Sequence, residues 1–135
     1  MKITRFEDLE CWQEARKLVN MVYRSIRSSK TFQADFRLVD QSTGAAISVM
    51  NNISEGWASQ SNAEFIRFLT YSRRSCAEVQ NCSYIATDQE YINENTHEEI
   101  YRQAKKVTMI VDGLLRYLRS QRSKTARPKK QNKRS

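Results

Sequence analysis

Ile100, Ala104, Val107, Val111, Leu114 and Leu118 follow one another at alternating steps of four and three residues. This is a heptad seam, an apolar line on one face of a helix that another helix must cover. Little in the chain would interrupt such a helix. There are three glycines and one proline in 135 residues, and the proline is Pro128. Proline removes an amide donor and clashes with the preceding turn, so its absence before the last few residues leaves long helices free to form.

Three more segments carry the same period and no strand alternation. From Phe6 to about Ser28, apolar residues recur at Leu9, Trp12, Ala15, Val19, Val22 and Ile26. A polar connector, SSKTFQAD, leads to Phe36, Val39, Ala46, Val49, Met50, Ile53 and Trp57, with Gly56 near the expected stop. The third segment opens with SNAE, where Ser61 can cap free amides and Glu64 can reach back, as in a capping box. Its stripe is Phe65, Phe68, Leu69, Ser72, Cys76, Val79 and Ala86, and Asn93 or Asn95 can cap the fourth segment. Four helices on short connectors predict an all-α, antiparallel up-down-up-down four-helix bundle, because short loops leave each helix beside its predecessor. We place the bundle at residues 1–119 and a separate tail at 120–135. A length of 135 residues suits one core.

The charge divides along the same line. Net charge is +8, yet residues 1–115 hold 14 Lys and Arg against 15 Asp and Glu, and residues 116–135 hold nine basic residues and no acid. The tail has no apolar side chain larger than proline or alanine, so it is expected to be disordered when unbound. Its cations, Arg122, Lys124, Arg127, Lys129, Lys130, Lys133 and Arg134, together with Arg116 and Arg119 at the end of the fourth helix, form a dense counter-charge for a phosphate backbone. No aromatic residue lies among the tail cations, so binding through them is electrostatic and follows nucleic-acid shape. On the third helix Arg73 and Arg74, with Arg67 and Tyr71, sit near outward faces, where Glu64 and Glu78 offer ordinary ion-pair partners at helical spacing. Solubilisation alone is the competing reading of the tail.

The residue types for catalysis do not converge. A di-iron bundle needs two Glu-x-x-His motifs, whereas ENTH, Glu94 to His97, contains the only histidine of the chain and lies in a polar first turn, where exposure is expected. Cys11, Cys76 and Cys82 are odd in number and lack CxxC spacing, which suggests reduced thiols and a cytoplasmic protein, and Cys76 lies within an apolar stripe as a core thiol would. No Gly-rich phosphate loop is present. No apolar run approaches the ~18 residues of a membrane span, and the acidic N-terminus does not read as a signal peptide. The expectation is a non-enzymatic protein without cofactor, metal or membrane partner.

Several stretches together carry a resemblance: FEDLECWQEARKLVNMVY, AAISVMNNISEGW, SNAEFIRFLTYSRRSCAEV and DQEYI. In this order, over Phe6 to about Leu118, they resemble the four-helix-bundle family encoded by intervening sequences of bacterial 23S ribosomal RNA genes. The resemblance implies a left-handed antiparallel bundle, assembly as a homopentamer around a channel, and no enzymatic activity. Relatives include accessory proteins of diversity-generating retroelements, which bind nucleic acid and a reverse transcriptase through a basic surface. The chain departs from the family at Ser42, Thr43 and Gly44, where many relatives carry two arginines, and at Met50, where many carry proline. The first departure removes positive charge from the bundle. The motif matching Asn51, Asn52, Ile53, Glu55 and Gly56 closes the second helix. Ile53 fits the core phase, Gly56 is expected to free the backbone for the turn, and Asn52 and Glu55 share a face suited to bonding that turn or a second subunit.

These observations point to a homopentameric scaffold that binds structured RNA through its tail and the adjoining helix ends, with a reverse transcriptase as a further partner. The alternative is a protein-interaction ring without a nucleic-acid ligand.

Overall fold

The computed structural model describes residues 2–134, with side chains over residues 2–121. A short 3-10 helix, Phe6–Asp8, precedes α1 (Glu10–Arg27), α2 (Lys30–Ala34), α3 (Phe36–Ala58), α4 (Asn62–Asp88) and α5 (Glu94–Arg134). The backbone of residues 120–134, expected to form a separate disordered tail, continues α5 as helix, and the side chains from residue 122 onward lie outside the described residues.

The four long helices form an all-α, antiparallel bundle in which α1 and α4 each pack against both α3 and α5. Cross-helix bonds fix the directions. Ser72 Oγ donates to the Val49 carbonyl at 2.8 Å and Ser75 Oγ to Ser48 Oγ at 2.9 Å, so residue numbers rise on α4 as they fall on α3. Gln80 reaches the Tyr101 carbonyl while Arg73 reaches Asp112, which sets α5 antiparallel to α4. The core is lined by Leu18, Val49, Ile53, Leu69, Val79, Val107 and Val111, all essentially inaccessible to water.

Four of the five α-helices start on a side-chain cap, whereas α1, which begins after Leu9, has none. Ser29, Asp35, Ser61 and Asn93 accept from the amides of Phe32, Leu38, Glu64 and Thr96, answering donors that the first turn leaves unpaired. Only half of the expected capping box forms at Ser61. The Glu64 carboxylate turns instead to Arg67, whose Nε donates at 2.6 Å.

Several expectations are corrected. The connector is not merely polar: it folds into α2 and buries Phe32 against the Tyr91 ring, with centroids 5.5 Å apart. Tyr91 in turn donates to Asp35 at 3.0 Å, closing that end of the bundle. Phe36, expected in the core, is 81% exposed because Asp35 caps the helix there and Leu38 takes the inward position. In α1 the buried line runs through Cys11, Ala15, Leu18 and Val22, leaving Trp12 and Val19 at its margin.

The seam of α5 holds at Ile100, Ala104, Val107, Val111 and Leu118, but between the last two Leu115 is buried and Leu114 only partly covered. A helix of 3.6 residues per turn drifts about 20° per heptad against a 3.5-residue pattern, so a sequence seam slips by one position over a few turns. His97 is also corrected: it is 3% exposed, with Nδ1 hydrogen-bonded to Ser83 Oγ and the ring 4.5 Å from that of Tyr84.

The closing turn of α3 has a different origin from the one expected. Gly56 is helical, and the left-handed residue is Gln60, with φ of 56°. Glycine is needed at position 56 for room. A Cβ there would lie 2.8 Å from Phe65 Cδ1 and 2.9 Å from Phe68 Cβ. Helix α4 therefore approaches α3 across a site with no side chain, a use of glycine that depends on close packing and not on a turn.

Candidate nucleic-acid interface

The cations Arg73 and Arg74, singled out in the sequence, lie in the middle of α4, where the helix turns an exposed edge beside α5. Their environments differ. Arg73 Nε pairs across the helices with Asp112 at 2.9 Å, rather than with Glu78 on its own helix. Arg74 has no carboxylate within ion-pair distance among the described residues, and its guanidinium lies 5.8 Å from the centre of the Tyr71 ring.

Nearly two turns back, Arg67 is held by Glu64 and covers the rings of Phe68 and Tyr71 at 4.7 and 5.5 Å. The two charges tune one another: the hydrogen bond from Arg67 lowers the Glu64 carboxyl below its ordinary range, and the carboxylate raises Arg67. A satisfied, exposed pair of this kind adds little to stability, but it leaves a cation and an aromatic face together at the surface.

On α5 the charges separate along the helix. Glu94, Glu98 and Glu99 occupy the first two turns, where they complement the positive helix end. From Arg102 to Arg119 there are five cations and a single acid, Asp112, which Arg73 takes. Arg102, Lys105, Arg116 and Arg119 are exposed and unpaired among the described residues, whereas Lys106 reaches back to Glu14 at 3.2 Å. The antiparallel register carries Arg116 about one turn beyond the Arg73–Asp112 pair, so the α4 arginines and the end of α5 belong to one side of the bundle. Arg122, Lys124, Arg127, Lys129, Lys130, Lys133 and Arg134 lie outside the residues with described side chains.

Between α4 and α5 this side opens into a groove of about 420 Å³ lined by Thr70, Arg73, Arg74, Ala77, Gln80 and Thr108. The pattern of cations alone does not mark it. Thr70, Arg73, Arg74, Ala77 and Gln80 do recur at helical steps of three and four, and that polar stripe is the signal for a solvated face with a distinct chemistry.

The Asn51 to Gly56 motif lies on α3, away from this groove. Asn51 and Glu55 are exposed, while Asn52 Nδ2 donates to Ser48 Oγ at 3.0 Å, and Ser48 meets Ser75 of α4. Asn52 therefore serves the α3–α4 junction through Ser48 and not the turn, and Gly56 serves the same junction by close approach.

The remaining candidate chemistry is quiet. Cys11, Cys76 and Cys82 are free and buried, and burial pushes the Cys11 and Cys76 thiols up to about 12 and about 11. A thiol in that range stays protonated and unreactive at neutral pH. Among the described residues no three His, Cys, Asp or Glu side chains gather to hold a metal, and no helix is long and apolar enough to cross a membrane. Among the described residues Ser42 Oγ is buried with no nitrogen or oxygen partner, facing the Cys82 thiol beside a space of about 10 Å³ lined in part by Ser25 and Ser83.

Fold and site together define a small antiparallel helical bundle with a cation-lined groove on one side. The chain belongs to the family described as 23S rRNA-intervening sequence protein, which matches residues 7–113. Among solved structures it is similar to a protein with unknown function from the S23 ribosomal protein family from Bacteroides thetaiotaomicron, with a TM-score of 0.70 and 18% identity over 78% of this chain and 97% of that one. At that identity the likeness concerns the fold. None of the curated proteins matches the sequence significantly. The family description and the structural neighbour name no reaction.

Proposed function

We propose that the protein is a non-enzymatic scaffold that binds structured RNA through the α4–α5 side and the basic C-terminal tail, assembled as a homopentamer. The observation that carries this reading is the charge layout. Among the described residues Arg74, Arg102, Lys105, Arg116 and Arg119 have no carboxylate partner, as is also true of Arg16, Arg24, Arg27 and Arg37 on other helices, but only from α5 does the chain continue into seven more cations without an acid. Such a run gains affinity by releasing counterions from phosphates.

Repetition strengthens the reading. Five tails on a ring, each with Arg116 and Arg119 of the adjoining helix end, would present about 45 basic groups, which converts weak contacts into avid binding. The family resemblance is the support for the pentamer, and for a reverse transcriptase as a second partner.

The test is a salt titration with a labelled hairpin RNA, comparing the full chain with a chain ending at Arg119. Binding of the full chain should follow a log-log slope of about −4 or steeper, and truncation should flatten it. Equal slopes would confine the site to the bundle. No binding by either would favour a protein-interaction ring, and light scattering on the same samples gives the subunit number.

A further inference from the structure

We infer that the α4–α5 groove is a slot for one unpaired ribonucleotide, so that the protein selects loops or bulges of a structured RNA rather than its paired stems. This rests on the RNA-binding reading and adds the part of the RNA that is recognised. The groove has a volume of about 420 Å³. Pockets that hold small ligands begin at roughly 300 Å³, so a single nucleotide fits one of this size.

Its lining is ordered by chemistry. Arg74, free of a carboxylate among the described residues, stands beside the paired Arg73 one turn in from Thr70 at one end, and Gln80 stands at the other end. Six residues of helical rise separate Arg74 from Gln80, roughly 9 Å along the axis. That separation is the reach of a nucleotide from its phosphate to the far edge of its base. Between the ends lies Ala77, whose small side chain leaves the floor open to a flat ring. Gln80 holds its place by a long bond from Nε2 to the Tyr101 carbonyl, 3.4 Å, and its Oε1 has no partner among the described residues. An amide in that state can take a base edge by donating, accepting or both.

The walls add a preference for ribose. The Thr70 hydroxyl donates to the Ile66 carbonyl at 2.8 Å and the Thr108 hydroxyl to the Ala104 carbonyl at 3.0 Å. With its hydrogen committed to its own helix, the Thr70 oxygen meets a ligand as an acceptor, whereas the Thr108 hydroxyl is also engaged by the buried Cys76 thiol. A ribose 2′-hydroxyl donates to such an acceptor, and deoxyribose has nothing to offer it. A base paired in an A-form stem cannot enter, because its edge is already used and its face is stacked.

The experiment measures binding of the full chain to three fluorescein-labelled probes with equal numbers of phosphates: an RNA hairpin with an unpaired loop, a fully paired RNA duplex, and the DNA version of the hairpin. The RNA hairpin should bind about tenfold or more tightly than the other two, the scale of one base contact. Ala77→Trp fills the slot and should bring the RNA hairpin down to the duplex value, with the duplex itself unchanged. Gln80→Ala leaves the floor open and should reduce the hairpin preference without altering the salt slope, while Arg74→Gln should make the slope shallower by about one. Thermal melts of each variant confirm that the bundle is retained. Equal binding of hairpin and duplex by the parent chain, or a preference that survives both Ala77→Trp and Gln80→Ala, overturns the slot while leaving RNA binding intact. Failure of all three probes to bind the parent chain overturns the RNA reading itself.

Discussion

The two faces of α4 are joined to their neighbours in opposite ways. Toward α3 the contact is made by Gly56, Ser48, Ser72 and Ser75, residues short enough for helix backbones to approach, with hydroxyl bonds crossing at 2.8 and 2.9 Å. Toward α5 the outer contact is made by long side chains, Arg73 to Asp112 and Gln80 to Tyr101, which bridge a gap instead of closing it. Small residues turn a helix pair into a continuous wall, whereas long polar ones leave a groove between their stems. The α3–α4 contact is therefore closed along Ser48, Ser72 and Ser75 and opens at its Gly56 end into a pocket of about 320 Å³, whereas the α4–α5 contact, the open side, parts at mid-helix beside Arg73 and Arg74.

The comparison would break most visibly if the interior beneath the open side tolerated charge. Val107 is completely buried and Leu115 is 2% exposed. Aspartate at either position should cost more than about 4 kcal/mol and abolish the folded bundle. Leu114→Asp should cost clearly less, because that side chain is only partly covered. Circular dichroism and urea titration measure all three, and equal losses at 114 and 115 would return the seam to its strict heptad phase.

The glycines of α3 sharpen the contrast with opposite signs. At Gly56 a methyl group would press against Phe65 and Phe68 of α4, closer than carbon atoms normally pack. Gly56→Ala should therefore destabilise by about 1 kcal/mol or more, even after its gain in helix propensity. At Gly44 a Cβ meets nothing within 4 Å. Gly44→Ala should stabilise by up to ~1 kcal/mol. Chemical denaturation of the pair decides whether close approach is confined to the end of the α3–α4 wall.

The smallest effect concerns the charged junction of α1 with α5. Glu14 accepts from Gln103 at 3.0 Å, Lys17 at 2.9 Å and Lys106 at 3.2 Å, and these bonds, led by that from Gln103, hold its carboxyl at about 2 against an ordinary 4.5. A folded-state value below the unfolded one means that the stabilisation is complete above pH 4.5 and is lost as pH falls from there toward 2. Glu14→Gln should cost about 1 kcal/mol at neutral pH and remove this contribution to the acid slope. Melting curves from neutral to strongly acid buffer test it, and parallel profiles for parent and variant would reassign the acid slope to other carboxylates.

Much of this architecture was legible in residue order. Helical period and the scarcity of breakers defined four long helices, because amphipathic spacing and backbone propensity are local properties. Asn93 and Ser61 were readable as caps for the same reason, and so was the division between neutral body and basic tail. Motif order carried the family. Less legible was the reason for each residue of the motif that closes α3: Gly56 reads as a turn residue in sequence and acts as a contact in space, while Gln60 takes the left-handed position.

Residue order alone was thus enough for the set of helices, their apolar faces and the sign of the charge along the chain. Packing chose which polar side chains meet. It drew His97 from a polar first turn into the interior beside Ser83, gave Arg73 to Asp112 while leaving Arg74 free, and set Ala77 and Gln80 along an open groove. Periodicity specifies a direction around a helix axis, but distance to a partner depends on helix register and separation, and those emerge only when residues far apart in the chain pack together.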